Sequence, residues 1–453
     1  MRDKILRYLY LASSVLNWPR GPGNLLESQP PGDELKAMLD QVDPRRVQTI
    51  IEKLVSFGTR HTASSQTDPN TGIGAARDWI AGQMREFASG SAGRMTVSVP
   101  SYIQAPVSGE FISSVNISNI VARLEGTTDP NRVYVVSGHY DSRNTNILDS
   151  TGDAPGADDD ASGVAVSMEL ARIMATHETA ATILFVAVAG EEQGLYGSTF
   201  LAQSLRSAGA DVQAAFTNDI VGSSTADDGS KDPFSIRLFA QGIPSNETAA
   251  QVQARATIGG ENDSPARQIG RFVSEVASNS ATNMTVRVIY RLDRYLRGGD
   301  HKPFLALGYP GARFTEPHEN FAHQHQNVRV EDGVQFGDLI EFCDFDFIAR
   351  VARVNLATMF SLASAPGTPK NVTVDNSVLT NNSTLRWALG EDSGLAGYEI
   401  LWRATDEPFW THVIAVGLVS SATVELSKDN AIFGVRAVGQ NGFRSPATFP
   451  FPG

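Results

Sequence analysis

Short β-branched runs alternate with longer helix-forming segments through most of this 453-residue chain. This alternation is the feature that most limits the fold, because it is typical of an α/β layered domain with a largely parallel sheet. Strands are predicted at residues 133–136, 183–188, 214–219, 286–289 and 312–314. Helices are predicted at residues 44–57, 73–87, 163–175 and 334–360.

The character of the sequence changes after residues 363–369, where two prolines and a glycine predict a domain boundary. We therefore expect a first domain at residues 40–364 and a second domain at residues 366–453. The second domain has short predicted strands separated by polar turns, which predict a small all-β sandwich. Trp387 and the segment Tyr-Glu-Ile-Leu-Trp-Arg at 398–403 resemble fibronectin type III modules. We expect this module to act in stability or spacing.

Residues 1–39 are rich in proline and glycine and predict an arm without a core of its own. Within it, an apolar stretch at residues 5–16 follows Arg2 and Lys4, as in the remnant of an export signal. An export signal would make the protein secreted or periplasmic. Arg7 interrupts the stretch, so an ordinary amphipathic helix is the alternative.

Charge and cysteine content narrow the class of protein. The 50 Asp and Glu residues exceed the 37 Lys and Arg residues, for a net charge of −13, which disfavours binding to nucleic acid or anionic membranes. No run of 18 or more apolar residues predicts a membrane-spanning helix. The single cysteine, Cys343, excludes an intrachain disulfide and a thiolate-rich metal site. Any metal must therefore be held by His, Asp and Glu.

Imidazole and carboxylate groups follow the ends of several predicted strands or begin the next element. They are His139, the acids at 158–160, Glu191, Glu192, Asp219 and, in a later polar loop, His323 and His325. Ligands of open α/β sheets bind outside the carboxyl ends of strands, so these groups are expected to converge. Without cysteine, such a set suits zinc or a similar divalent ion, and five groups can hold two ions if one carboxylate bridges them. A remaining glutamate would serve as general base.

These motifs resemble the co-catalytic zinc aminopeptidases, which are related to glutamate carboxypeptidases, glutaminyl cyclases and the transferrin receptor ectodomain. The resemblance covers about residues 40–364 and implies a three-layer α/β domain with a mixed, largely parallel central sheet. It also implies two zinc ions, with Asp159 as the bridging ligand. The implied ligands are His139, Asp159, Glu192, Asp219 and His323.

The resemblance assigns roles to residues beside the ligands. Glu191 matches the general base, and Asp141 matches the acid that orients the first zinc histidine. Asp160 follows the bridging aspartate, to which a cis peptide bond is expected to join it. Asp300 and His301 are expected to line or buttress the cleft.

The choice of His323 over His325 rests on one spacing. The family has a histidine followed four residues later by an aspartate, and His323 followed by Asn327 is the nearest match. Asn327 departs from the family's aspartate at that position.

The function implied by the resemblance is an aminopeptidase that acts on peptide substrates. Alternatives with the same fold are a single-zinc glutaminyl cyclase and a carboxypeptidase, which would need arginines to bind a substrate carboxylate. Arg294, Arg297 and Arg313 are the candidates for such a role. A receptor or adhesion protein without catalytic activity is disfavoured, because such relatives typically lose metal ligands and none is missing here.

Overall fold

The computed structural model of the chain describes residues 18–453, which form two units. The larger unit comprises Gln29–Thr248 and Asn262–Ser364. The smaller unit comprises the described residues up to Ser28, Ala249–Glu261 and Ala365–Gly453. The apolar stretch at 5–16 lies outside the described residues, so the export signal stays a prediction. From residue 18 onward, no helix is long and apolar enough to span a membrane.

Strands and helices alternate through the larger unit, whereas strands dominate the smaller one. Numbered in chain order, the strands of the described residues are β1 (Asn24–Leu25), β2 (Met95–Ser98), β3 (Ser101–Gln104), β4 (Val115–Ser118), β5 (Ile120–Leu124), β6 (Asp129–His139), β7 (Ala181–Val188), β8 (Asp211–Asn218), β9 (Ser235–Phe239), β10 (Thr285–Ile289), β11 (Gly311–Thr315), β12 (Arg329–Glu331), β13 (Val334–Phe336), β14 (Thr373–Val374), β15 (Ser383–Arg386), β16 (Leu395–Ala404), β17 (His412–Gly417), β18 (Ser421–Val424), β19 (Ala431–Gly439) and β20 (Phe451–Pro452). The α-helices are α1 (Asp33–Leu39), α2 (Pro44–Val55), α3 (Gly72–Ser89), α4 (Ala161–Met174), α5 (Tyr196–Ser207), α6 (Ala249–Thr257), α7 (Pro265–Ala277), α8 (His301–Ala306) and α9 (Phe345–Ser364).

The core of the larger unit is an eight-stranded mixed sheet with the strand order β10-β9-β11-β8-β6-β7-β5-β2. Strand β6 is parallel to both of its neighbours, β7 and β8, and the pairs β8–β11 and β9–β10 are also parallel. The pairs β2–β5, β5–β7 and β9–β11 are antiparallel. The predicted mixed, largely parallel sheet is confirmed. Because β6, β7 and β8 run in one direction, their carboxyl ends meet at one edge of the sheet.

Helix α9 begins later than the sequence pattern predicts. Instead of one helix over residues 334–360, the structure has the antiparallel pair β12–β13 and starts α9 at Phe345. Asp332 and Gly333, between these strands, have φ angles of 52° and 81°. Two positive φ angles are what a tight Asp-Gly hairpin turn requires. The predicted start of the helix is therefore wrong, because apolar spacing alone overlooks this turn signal.

The smaller unit contains two four-stranded sheets, β1-β17-β16-β19 and β18-β15-β14-β20. They share a buried core that includes Leu385, Trp387, Ile400, Trp402 and Val435. This is the all-β sandwich predicted for the end of the chain, while its assignment as a fibronectin type III module stays a prediction.

Part of the predicted N-terminal arm belongs to this sandwich. Strand β1 pairs with β17, and Trp402 Nε1 donates a hydrogen bond of 2.8 Å to the Pro22 carbonyl. Further along the predicted arm, α1 belongs to the larger unit and buries Leu35 and Met38. The described part of residues 1–39 is thus shared between the two units.

Candidate metal centre

His139 is the last residue of β6, and its side chain is buried. Its Nδ1 lies 3.1 Å from the backbone oxygen of Asp141, so the neutral ring donates there and keeps a lone pair on Nε2. Nε2 lies 3.0 Å from Asp159 Oδ1 and 3.8 Å from Asp219 Oδ1. Within the described residues Nε2 has no hydrogen-bond partner. A buried imidazole nitrogen of this kind, beside two carboxylates, is suited to bind a metal ion.

The loop before α4 presents Asp159 to His139. Asp160 caps the helix, because its Oδ1 accepts a hydrogen bond of 2.9 Å from the Gly163 N–H. Its Oδ2 accepts another, also of 2.9 Å, from the backbone N–H of His139. The peptide bond between Asp159 and Asp160 is cis, as the resemblance implies. Asp160 therefore fixes the loop and the strand end, and Asp159 is left to face the histidines.

Asp338 is a second anchor of this loop. Its carboxylate accepts the backbone N–H groups of Asp158 and Asp159, each at 2.8 Å. Burial, together with repulsion from Asp158, raises the pKa of Asp338 well above its ordinary value. No local motif in the sequence marks Asp338, because it reaches Asp158 from 180 residues away.

Glu191 and Glu192 follow β7 after a turn at Gly190, where φ is 73°. The Asp141 carboxylate accepts both of their backbone N–H groups, at 3.3 Å from Glu191 and 3.1 Å from Glu192. The same carboxylate lies 3.6 Å from Nδ1 of His139. Asp141 therefore links the histidine to the glutamate pair. Burial raises the pKa values of Glu191 and Glu192 above the ordinary range.

His325, and not His323, closes the group of ligands. Nε2 of His325 lies 2.9 Å from Asp159 Oδ2 and 3.0 Å from Glu192 Oε2. The ring of His323 instead stacks on Phe342, with centroids 3.6 Å apart and planes inclined by 8°. The prediction of His323 as a ligand is therefore wrong in this structure. A positive φ of 56° at His325 turns the loop, so a spacing counted along the sequence does not identify the side chain that faces the carboxylates.

Asp219 follows β8, and Arg313 on the neighbouring strand β11 holds it in place. Nη2 of Arg313 donates to Asp219 Oδ1 at 2.8 Å and to the Asp219 backbone oxygen at 3.2 Å. The arginine is fully buried and also lies 3.5 Å from Asp293 Oδ2. Burial would raise the pKa of Asp219, but Arg313 and His139 together outweigh burial and keep that pKa below its ordinary value. Asp219 therefore stays ionised beside His139.

Asp300 and His301 lie beneath this part of the centre, and both are buried. Burial raises the pKa of Asp300 to about 7 and lowers the pKa of His301 to about 4. Nε2 of His301 lies 2.9 Å from the Leu292 backbone oxygen and 3.7 Å from Asp293 Oδ2. Of the two roles expected for His301, lining or buttressing, these contacts support buttressing.

The ligand atoms form two groups, and Asp159 belongs to both. The first group is His139, Asp159 and Asp219, and the second is Asp159, Glu192 and His325. In each group one ligand atom per residue lies within 4.8 Å of the others. Glu192 Oε1, like His139 Nε2, is buried without a hydrogen-bond partner in the described part of the chain. Each group of imidazole and carboxylate donors fits a zinc ion.

Comparison with known proteins agrees with this set of donors. The model of peptidase family M28 matches residues 119–329. A probable zinc metalloprotease of Pyrenophora teres f. teres (strain 0-1) is 57% identical over 440 residues, which cover 96% of this chain and 90% of the relative. The chain belongs to peptidase family M28. A probable zinc metalloprotease of Pyricularia oryzae is likewise 57% identical, over 96% of this chain and 89% of the relative. This M28 protein is a zinc metallopeptidase.

Solved structures show the same fold. The LapA aminopeptidase of Legionella pneumophila superposes with a TM-score of 0.53 at 16% identity, covering 73% of this chain and 75% of LapA. An aminopeptidase from Aneurinibacillus sp. strain AM-1 superposes with a TM-score of 0.50 at 15% identity, and the superposition covers 74% of this chain and 97% of that aminopeptidase. The predicted zinc-exopeptidase-like fold is confirmed for this M28 peptidase.

Arg60 lies before the region matched by the M28 model and contacts two of the ligand loops. Its guanidinium is fully buried and donates to the backbone oxygens of Tyr140 at 2.8 Å, Pro155 at 2.5 Å and Gly156 at 2.8 Å. It also donates to Leu54, in α2, at 3.2 Å. The loops that carry His139 and Asp159 are thus joined by one side chain. Arg60 could not be predicted from the sequence, because its partners are backbone atoms that no sequence pattern reveals.

Proposed function

We propose that this M28 peptidase is an aminopeptidase that binds two zinc ions. The proposed ligands are His139, Asp159, Asp219, Glu192 and His325. The observation that carries the proposal is that two ligand groups share Asp159, while Glu191 belongs to neither. When bound, zinc at these positions supplies Lewis acidity toward the scissile carbonyl and lowers the pKa of the attacking water.

Glu191 moves the proton in the proposed reaction. It accepts a proton from the attacking water and donates it to the departing amine, so it ends each turnover ionised. Its backbone N–H is held by the Asp141 carboxylate, which fixes where the side chain begins. Burial raises the pKa of Glu191 above that of an exposed glutamate, which suits a group that must both take and return a proton near neutral pH.

The charge of the centre favours the amino end of a peptide. Carboxylic acids outnumber arginines around the ligand groups, although burial raises the pKa of several of these acids, so that only part of the set is ionised. The acids that interact electrostatically here are Asp141, Asp158, Asp159, Asp160, Glu191, Glu192, Asp219, Asp300, Glu316 and Asp338. A free α-ammonium group can donate to these carboxylate oxygens and is attracted to the ionised ones, which would repel a C-terminal carboxylate placed among them.

The main alternative is a glutaminyl cyclase that binds one zinc ion. The second ligand group of Asp159, Glu192 and His325, and a glutamate outside both groups, favour two ions and hydrolysis over that alternative. The carboxypeptidase alternative requires several arginines free to bind a terminal carboxylate beside the metals, and of the three candidates only Arg297 has an N–H edge without a partner among the described residues. Arg313 does not meet this requirement, since it is buried between Asp219 and Asp293.

The test combines a metal count with a substrate panel. Elemental analysis of the purified protein should find two zinc ions per chain. A panel of aminoacyl 4-nitroanilides should be hydrolysed, hydrolysis should stop with a chelator and return with zinc, and the matching N-acetylated anilides should resist. One zinc per chain with cyclisation of an N-terminal glutamine would favour the cyclase instead. Cleavage of the acetylated substrates would contradict aminopeptidase action.

A further inference from the structure

Three arginines converge on one carboxylate in the larger unit. Glu319 accepts hydrogen bonds from Arg237 at 3.2 Å, Arg294 at 3.1 Å and Arg297 at 2.8 Å. The Glu319 side chain is nearly buried, and one negative charge faces three positive ones. Asp293 also pairs with Arg294, but Asp293 is shared with the buried Arg313. The cluster therefore keeps an excess of positive charge, which an anionic ligand would neutralise.

Arg297 is the member of this cluster that is open to a ligand. Its side chain is 33% exposed, against 22% for Arg237 and 8% for Arg294. Nη1 makes its hydrogen bonds to Glu319 and, at 3.4 Å, to Gln324 Oε1. The Nε–Nη2 edge makes no hydrogen bond with the described residues. A guanidinium anchored on one side, with two parallel N–H groups free on another, is suited to bidentate binding of a carboxylate.

The cluster lies next to the metal centre. Gln324 precedes His325 in the sequence, and its Nε2 donates to Asp159 Oδ2 at 3.2 Å. One side-chain amide therefore separates the Arg297 guanidinium from the carboxylate shared by the two ligand groups. An extended residue spans roughly 3.5 Å, so a peptide with its scissile bond at the metal centre brings groups of an adjacent residue within reach of Arg297.

We propose that the Nε–Nη2 edge of Arg297 binds a carboxylate of the peptide substrate. This inference rests on the proposed function and adds a substrate class to it, namely peptides with a carboxylate about one residue from the cleaved bond. Two sources have that chemistry: the side chain of an acidic N-terminal residue, and the C-terminal carboxylate of a dipeptide. Glu319 positions the guanidinium, and Gln324 connects it to the metal centre.

The test measures discrimination between charged and neutral substrates in the zinc-loaded full chain. One arm compares glutamyl with glutaminyl 4-nitroanilide, which differ only in the side-chain charge and its hydrogen bonding. The other arm compares the dipeptide Leu-Gly with its C-terminal amide. Arg297→Gln is the main variant. The control is Arg123→Gln. The Arg123 side chain is also paired with a glutamate and is 36% exposed, but it contacts the Pro130 backbone oxygen at the amino end of β6.

For each arm, the ratio is kcat/KM for the substrate with the carboxylate divided by kcat/KM for its neutral counterpart. In the wild type we expect this ratio to exceed one in at least one arm, and Arg297→Gln should lower it there by about ten- to a hundred-fold. A loss in the first arm identifies the acidic side chain as the ligand, and a loss in the second identifies the terminal carboxylate. Arg297→Lys keeps one charge without the planar fork and should give an intermediate ratio. Arg123→Gln should leave both ratios unchanged.

Two results would overturn the inference while leaving the proposed function intact. One is that anilides are hydrolysed but neither ratio changes more than two-fold in Arg297→Gln. The other is that Arg297→Gln and Arg297→Lys reduce acidic and neutral substrates equally, which would show a structural role alone. Absence of zinc-dependent hydrolysis of every substrate by the wild type would instead contradict the proposed function itself.

Discussion

Nε2 of His325 lies 3.0 Å from Oε2 of Glu192, while His323, two residues earlier, stacks on an aromatic ring. The two histidines thus form a natural matched pair. We expect His325→Ala to lose zinc, because it removes an imidazole from the group that holds Asp159 and Glu192. His323→Ala should retain the zinc content of the wild type. Elemental analysis after dialysis measures both, and loss of zinc from His323→Ala alone would reverse the assignment.

How far the sequence predicts the site depends on whether a residue's partner is local. His139, Asp159, Glu191, Glu192 and Asp219 could be predicted, because each lies at or shortly after the end of a strand, or shortly before a helix, whose pattern is clear. The ends of parallel strands meet at one edge of the sheet, so identifying the strands brings these residues together.

The missed residues act over long sequence distances or through the backbone. Arg60 binds carbonyl groups 80 and 96 residues away, and Asp338 binds amide groups 180 and 179 residues away. No periodicity encodes such contacts. The His323 prediction failed for a related reason, since a left-handed residue in the loop decides which side chain faces Asp159. The sequence does contain a signal against the early start predicted for α9, namely the Asp332-Gly333 turn.

Glu191 can be tested separately from the metal ligands. Glu191→Gln keeps the size of the side chain but removes the basic group, so kcat should fall by about 10²- to 10⁴-fold with zinc content unchanged. Steady-state kinetics and elemental analysis on one preparation check both statements. Glu331→Gln, a change at an exposed residue paired with Arg329, is the control and should behave as the wild type. Near-normal kcat in Glu191→Gln would exclude it as the general base.

Arg60 should matter for metal binding although it touches no ligand atom. Arg60→Lys keeps the charge but cannot donate to the carbonyls of Tyr140, Pro155 and Gly156 together, and each unsatisfied buried carbonyl costs about 1–3 kcal/mol. We expect a lower Tm and a weaker affinity for zinc, measured by competition with a chelator of known affinity. Arg123→Lys is the control. A lower Tm with unchanged zinc affinity would limit Arg60 to a role in stability.

His301 should make the stability of the larger unit depend on pH. Burial lowers the pKa of His301 to about 4, below the value of about 6.5 for an unfolded histidine. Its Nε2 lies 2.9 Å from the Leu292 carbonyl, and its buried Nδ1 has no partner among the described residues. Protonation would therefore create a buried N–H group without a partner among the described residues. The added positive charge would be repelled by Arg313 and only partly stabilised by Asp293 and Asp219.

The sign of the effect follows from these two pKa values. Between pH 6.5 and pH 4 the unfolded chain binds a proton at this residue that the folded chain does not, so stability is lost as the pH falls through that window. From pH 7 to pH 5 the loss attributable to His301 is on the order of 2 kcal/mol. His301→Gln can still donate toward Leu292 but does not titrate, so its Tm should fall less than that of the wild type over the same interval. Thermal unfolding at both pH values measures the difference, with His177→Gln, at a histidine paired with Glu34, as the control. An equal fall in Tm for the wild type and His301→Gln would show that other groups cause the acid sensitivity.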